Sequence, residues 1–377
     1  MNRRRKLLEY EWRNVRWIFL AGLILSAFLL ICLYSILDAT TESSVTFTSY
    51  FWNEGATATF GTALLTTLSF ATPVAILGFG VMAAIQFSDF HKRNKREFIV
   101  SLPYTQKERF VAKLIIGFSV IIFVWLVFSI GVFCMRNIFY NSIIRLYLVC
   151  PEYKLVLAND TWIHTLRSLF LMLLVLLLAY AIYMLLHSVV IHGVVASLMA
   201  IGVMLAPLWI LRSIFLYGES FFGMLTNNEF SQWFQPTNIL IKFALLFVGD
   251  GYYDSPFSLN SSGYYKDLDS YPNIVLISYG KMTGLFILVI LCLFAVLAVT
   301  WFINMRQDGS KFGVLIPQKA ARYILCGGIS FCVSIGVTWL IARLLWIMEP
   351  IIVILLLLLV AAGLFVLLNC ILKKITR

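Results

Sequence analysis

Apolar and polar positions alternate along this chain in long blocks, and the apolar blocks are of membrane-crossing length. A helix needs about 20 mostly apolar residues to cross ~30 Å of hydrocarbon. Eight stretches meet that length, at residues 17–37, 62–87, 113–135, 169–186, 189–211, 283–303, 323–346 and 351–372. The central turns of all eight lack Asp, Glu, Lys, Arg and His. The pattern predicts an all-α polytopic membrane protein of about eight transmembrane helices. Spans seven and eight are separated by little more than Glu349 and Pro350 and must form a tight hairpin.

The polar segments refine this picture. Residues 1–16 read as a short amphipathic helix, with Leu8, Trp12, Val15 and Phe19 on one face and Arg5, Glu9, Arg13 and Arg16 on another. Such a helix suits the cytosolic headgroup layer, although a basic tail that only fixes topology gives the same composition. Residues 17–377 then form the transmembrane domain, with polar segments at 38–61, 136–165 and 213–280 on the outer side. The last is the largest, lies between spans five and six, and ends in turns rich in Tyr, Asp, Gly and Pro. Asp250, Asp254, Asp267 and Asp269 have the chemistry for a hard cation but not the spacing of an EF-hand loop, and a small outer cap is the better reading. In the second span Thr66, Thr67, Thr72, Pro73, Gly78 and Gly80 suit close packing against a neighbouring helix, or the lining of a substrate path. His187 and His192 flank a tight turn at i, i+5, a poor spacing for metal ligands on a helix, and read as interfacial histidines.

Charge sets the expected orientation. With hydrophobic residues at 61% and a net charge of +11, the chain holds little material for a soluble catalytic domain, and its basic residues concentrate on one side. Arg3, Arg4, Arg5, Lys6, Arg13 and Arg16 form one group; Lys92, Arg93, Lys95, Arg96, Lys107, Arg109 and Lys113 a second; Arg306, Lys311, Lys319 and Arg322 a third; Lys373, Lys374 and Arg377 a fourth. The positive-inside rule then puts both termini in the cytosol, with no cleavable signal expected, and makes the cell membrane the expected location. The excess charge also draws anionic lipid. No basic stripe interleaved with aromatics on a soluble module points to nucleic acid. Five of the seven cysteines fall inside spans as small apolar residues, while Cys134 and Cys150 flank an outer loop, where a bridge stays open.

The segment 88–112 is the most informative polar piece. It is strongly basic, Pro103 disfavours α conformation at Leu102, and Thr105 and Glu108 have capping-box spacing for a helix that restarts and enters the third span. The chain carries no GxxxxGKS/T loop, HExxH or GxSxG motif. An intramembrane reaction or ion-coupled cycle usually needs ionisable groups inside spans. A non-catalytic membrane subunit, energised from outside itself, fits these absences best.

Residues 96–113, REFIVSLPYTQKERFVAK, following two spans, resemble the permease subunits of ABC-2 type transporters of Gram-positive bacteria, in which this loop reads Leu-Pro, a few polar residues, then Lys before a new span. Residues 306–313, RQDGSKFG, ahead of an apolar hairpin, are similar to the eight-span permeases of the Ytr type, with Ser310 or Lys311 where an acid is usual. The resemblance implies pairing with a second permease, identical or paralogous, and with two cytosolic ATPase subunits that hold ATP and Mg. It makes the amphipathic helix of residues 1–16 a cytosolic elbow helix and 90–102 the coupling helix, with Phe90, Glu97, Phe98 and Leu102 docking the ATPase and Lys92, Arg93, Lys95 and Arg96 steering an acidic surface or anionic lipid. A stand-alone immunity or sensor protein, a secondary transporter and, third, a membrane-embedded enzyme are the alternatives.

Overall fold

The computed structural model describes residues 2–46, 60–88, 104–149, 162–190, 192–221, 272–305, 319–345 and 349–375. Among them the regular structure is helical: α1 (Asn2–Thr46), α2 (Phe60–Gln86), α3 (Gln106–Val149), α4 (Trp162–Val189), α5 (Gly193–Phe221), α6 (Pro272–Met305), α7 (Lys319–Leu344) and α8 (Pro350–Ile375). Each of the eight expected stretches falls mainly within one of these helices. Six are long and apolar enough to cross a membrane over described residues: Arg5–Asp38, Gln106–Tyr140, Thr165–Val189, Phe286–Met305, Arg322–Ala342 and Ile351–Ile371. In α2 and α5 the apolar runs that qualify are shorter, Phe70–Gln86 and Gly193–Pro207.

Several helices outrun the spans expected of them. Residues 2–16 are not a separate elbow, since α1 runs unbroken to Thr46. At ~1.5 Å per residue its 45 residues make about 68 Å. α3 likewise continues through the expected outer segment as far as Val149. The physical reason is local. The stretch from Phe133 to Val149 contains neither glycine nor proline, and Pro151 is the first residue that disfavours helix, by restricting Cys150. Hydropathy marks where a helix leaves lipid, whereas helix breakers mark where it ends. The expected outer segment 213–280 is trimmed at both ends in the same way, with α5 reaching Phe221 and α6 beginning at Pro272.

The chain divides into two compact units, one of Met1–Met82, Ala112–Tyr180 and Leu240–Ala295, the other of Ala83–Val111, Ala181–Ile239 and Val296–Arg377. In the first, α1 lies along α3. A methyl group built at Gly22 would sit 3.1 Å from Val124 Cγ2, and one at Gly131 would overlap Leu30, so the two helices approach closely at small residues. Phe19 packs on Phe123 with ring centroids 5.5 Å apart, and Tyr34 meets Phe139 at 5.4 Å. Lipid tails are as apolar as leucine, so dispersion at such close contacts, rather than exclusion of water, holds spans together. α4 is buried on every side from Leu171 to Leu177, as a helix apolar all round must be in a core. It docks on α3 through Trp125, whose indole N–H donates to the Leu169 carbonyl at 2.7 Å. It docks on α6 through Leu171, Leu174 and Val289.

In the second unit, the tight turn between α4 and α5 is packed by Val189, Val190 and Ala196 against Ile303 of α6 and Leu325 of α7. Trp209 of α5 donates its indole N–H to the Cys332 carbonyl of α7 at 2.9 Å, and Gly336 leaves room for that ring. The expected α7–α8 hairpin forms, with the two helices packed along each other. Pro350 opens α8, where a missing N–H is harmless, and the Glu349 carbonyl accepts from Val353 N at 3.1 Å. Most of α8 faces outward: of its described side chains Val353 alone is buried. In a bilayer such a surface meets lipid.

Candidate functional site

The restart after Pro103 takes the form its sequence predicts. Glu108 Oε2 accepts from the Thr105 amide at 2.9 Å, the Glu108 amide donates to Thr105 Oγ1 at 3.3 Å, and Arg109 reaches back to the Tyr104 carbonyl at 2.9 Å. Two orphan amides are thus satisfied reciprocally, and α3 starts at Gln106. The residues expected to dock a partner, Phe90, Lys92, Arg93, Lys95, Arg96, Glu97, Phe98 and Leu102, lie outside the described residues.

Two turns into α3 the chain does something the charge pattern does not predict. Lys113, counted with the cytosolic basic cluster, is buried, and its Nζ lies 3.3 Å from Glu11 Oε1 of α1, with both side chains only 3% exposed. The buried stripe of α1 therefore runs Leu7, Glu11, Val15, while Trp12, expected on the same apolar face as Val15, is 40% exposed. The expected polar positions Arg5, Glu9, Arg13 and Arg16 do face outward. Hydrophobic spacing alone assigns a glutamate to the polar face; only its partner on another helix makes the buried position tolerable.

A third residue completes the arrangement. Tyr180 of α4 is fully buried, and its hydroxyl donates to the Lys113 backbone carbonyl at 3.4 Å. Its ring fills the space left by Gly117, one turn on from Lys113, where a methyl group would overlap the hydroxyl. Phe118 packs edge-on against the same ring, with centroids 5.9 Å apart. A signal for this site does exist in the sequence. Lys113 and Gly117 are in helical register with Val120 and Val124 on the apolar face of α3, and a lysine on such a face requires an acid from elsewhere. Which acid it takes is not written in the local pattern.

A second polar cluster lies in the other unit. His187, expected as an interfacial residue, is buried; its Nε2 is 3.2 Å from Ser197 Oγ and its ring stacks on Phe87. Beside it Asn304 donates through Nδ2 to Ser188 Oγ at 2.9 Å and to the Thr300 carbonyl at 2.8 Å. These bonds tie the end of α4 to α5 and α6. His192 is exposed, and among the described residues no three His, Cys, Asp or Glu side chains gather as metal ligands. In α2, Thr67 donates its hydroxyl to its own helix at the Ala63 carbonyl. Gly78, expected at a close helix approach, has open space around it. Cys134 is exposed, and Cys150 lies outside the described residues.

Taken together, the described residues are those of a helical, multi-pass membrane protein. No protein-family model, curated protein or solved structure matches the chain.

Proposed function

We propose that this chain is the transmembrane permease subunit of an ATP-binding cassette transporter of the ABC-2 type. In this reading it exports an apolar or amphipathic substrate on ATP hydrolysed, with Mg, by separate cytosolic ATPase subunits, and it pairs with a second permease in the cell membrane. The eight apolar helices are its eight spans, both termini are cytosolic, residues 88–112 face the ATPase and residues 213–280 lie outside. The observation that carries the reading is the start of α3. The Thr105–Glu108 cap sets a new helix directly behind the basic Leu-Pro segment, which is the layout the resemblance to ABC-2 permeases requires. A segment of this composition, basic with apolar side chains, suits a groove on an acidic partner.

The test is co-expression and co-purification with the cytosolic ATPase that this reading requires. Phe98→Asp is expected to leave membrane insertion intact and to abolish both co-purification and stimulation of nucleotide hydrolysis. Unchanged coupling would remove the docking assignment.

The Glu11–Lys113 pair supports a second reading, an ion-coupled carrier that works alone, because buried ionisable groups in membrane helices are costly and mark function. Substrate flux by the purified chain in vesicles, driven by an ion gradient without nucleotide, would favour this reading over the first.

A further inference from the structure

Glu11 and Lys113 stand opposite each other near the beginnings of α1 and α3, cut off from solvent. Removing two charges from water costs about as much as their mutual attraction returns, so an apolar pair of similar volume is commonly as stable or more so. Stability therefore does not account for the pair. Position does. Leu7, Glu11 and Val15 share one stripe of α1, and rotating that helix by one position would carry the carboxylate away from Lys113 and separate two buried charges. Leu7 and Val15, the apolar neighbours on that stripe, penalise such a shift weakly, whereas the glycine approaches at Gly22 and Gly131 act further along the two helices. On the other side of Lys113, Tyr180 holds the Lys113 carbonyl and fills the Gly117 notch, so the lysine belongs to a backbone segment fixed on α4.

We propose that the Glu11–Lys113 pair is a conformational latch that selects one packing of α1 on α3, with Tyr180 as the residue that positions its lysine. Because the pair is close to break-even in free energy, it discriminates strongly against wrong registers while remaining openable when both charges can reach water or headgroups together; the lysine's long stem favours such a movement. Its position behind the basic segment 88–112 means that a partner pulling on that segment would act on the latch. That consequence alone rests on the permease reading.

The reporter is built into the same helix pair. A Cβ at Gly22 would lie 3.8 Å from Val124 Cβ, and disulfides span Cβ separations of about 3.8 Å. In full-length protein with the seven native cysteines replaced, Gly22→Cys/Val124→Cys is oxidised in membranes, and cross-linking is followed by gel mobility after proteolysis between the two helices. In the Glu11→Leu/Lys113→Met background we expect a thermal midpoint equal to or above that of the parent, together with at least a tenfold slower cross-link. Cross-linking at the parental rate would overturn the latch, because register would then be set without the charges. A midpoint lowered as far as in Glu11→Gln alone would overturn it too, since the pair would then be a stability element. Neither measurement needs an ATPase, so the latch can fail while the permease reading stands, and the reverse.

Discussion

A glutamate at position 11 illustrates how burial and charge trade against each other. Its neighbour Glu9 makes an exposed pair with Arg5 at 3.3 Å, whereas Glu11 makes a buried one with Lys113 at the same distance. Equal geometry predicts unequal consequences. Glu9→Gln should change stability by about 0.3–0.5 kcal/mol, the usual worth of an exposed i, i+4 pair. Glu11→Gln takes the opposing carboxylate from a buried ammonium and should cost about 3–5 kcal/mol. Thermal midpoints in one detergent compare the two, and equal shifts would contradict the burial of the second pair. Gly117→Ala poses a related contest. Alanine gains about 1 kcal/mol in helix propensity, but its methyl group overlaps a tyrosine with no exposed surface, and overpacking typically costs about 1–3 kcal/mol. We expect net destabilisation, relieved by Tyr180→Leu, in the same assay.

Helices end where the backbone is broken or capped, and the two ends of α3 are both chemical. The Thr105–Glu108 box starts it, and Pro151, two positions past its last described residue, disfavours its continuation. Thr105→Ala removes a cap acceptor, which should cost about 0.5–2 kcal/mol of local helix stability. Faster hydrogen exchange at the first amides of α3, with α4 unchanged, is the expected result; unaltered exchange there would show that the box contributes nothing. The start of α3 was legible because a cap depends on residues three apart. The continuity of α1 was harder to read, because the basic residues that suggest a surface elbow carry no helix-breaking signal. The rotation of its buried face was illegible, because the partner lies about a hundred residues away.

On the scale of the molecule, the proposed topology makes a direct prediction. In intact cells Tyr265→Cys should react with a membrane-impermeant maleimide and Lys95→Cys should react only after lysis. The opposite pattern would reverse the orientation read from the basic residues. The two polar clusters, Glu11–Lys113–Tyr180 in one unit and His187–Ser188–Ser197–Asn304 in the other, each tie three helices together. Both are places where a helix bundle without an internal hydrophobic driving force gains specificity from polar contacts.

The sequence by itself determined the helical class, the positions of the eight apolar helices, the cap of α3 and the α7–α8 hairpin. All of these follow from residues close together in the chain: unbroken hydropathy, a Thr and a Glu three apart, a Glu-Pro break. Tertiary structure decided which face of α1 is buried, that Lys113 leaves the basic cluster to meet Glu11, and which glycines bring helices close. Those outcomes depend on what stands opposite, and in a bundle of uniformly apolar helices the local pattern is nearly the same on every side. Shape at Gly22, Gly117 and Gly131, and one pair of charges, break that degeneracy, and they do so only once the helices are side by side.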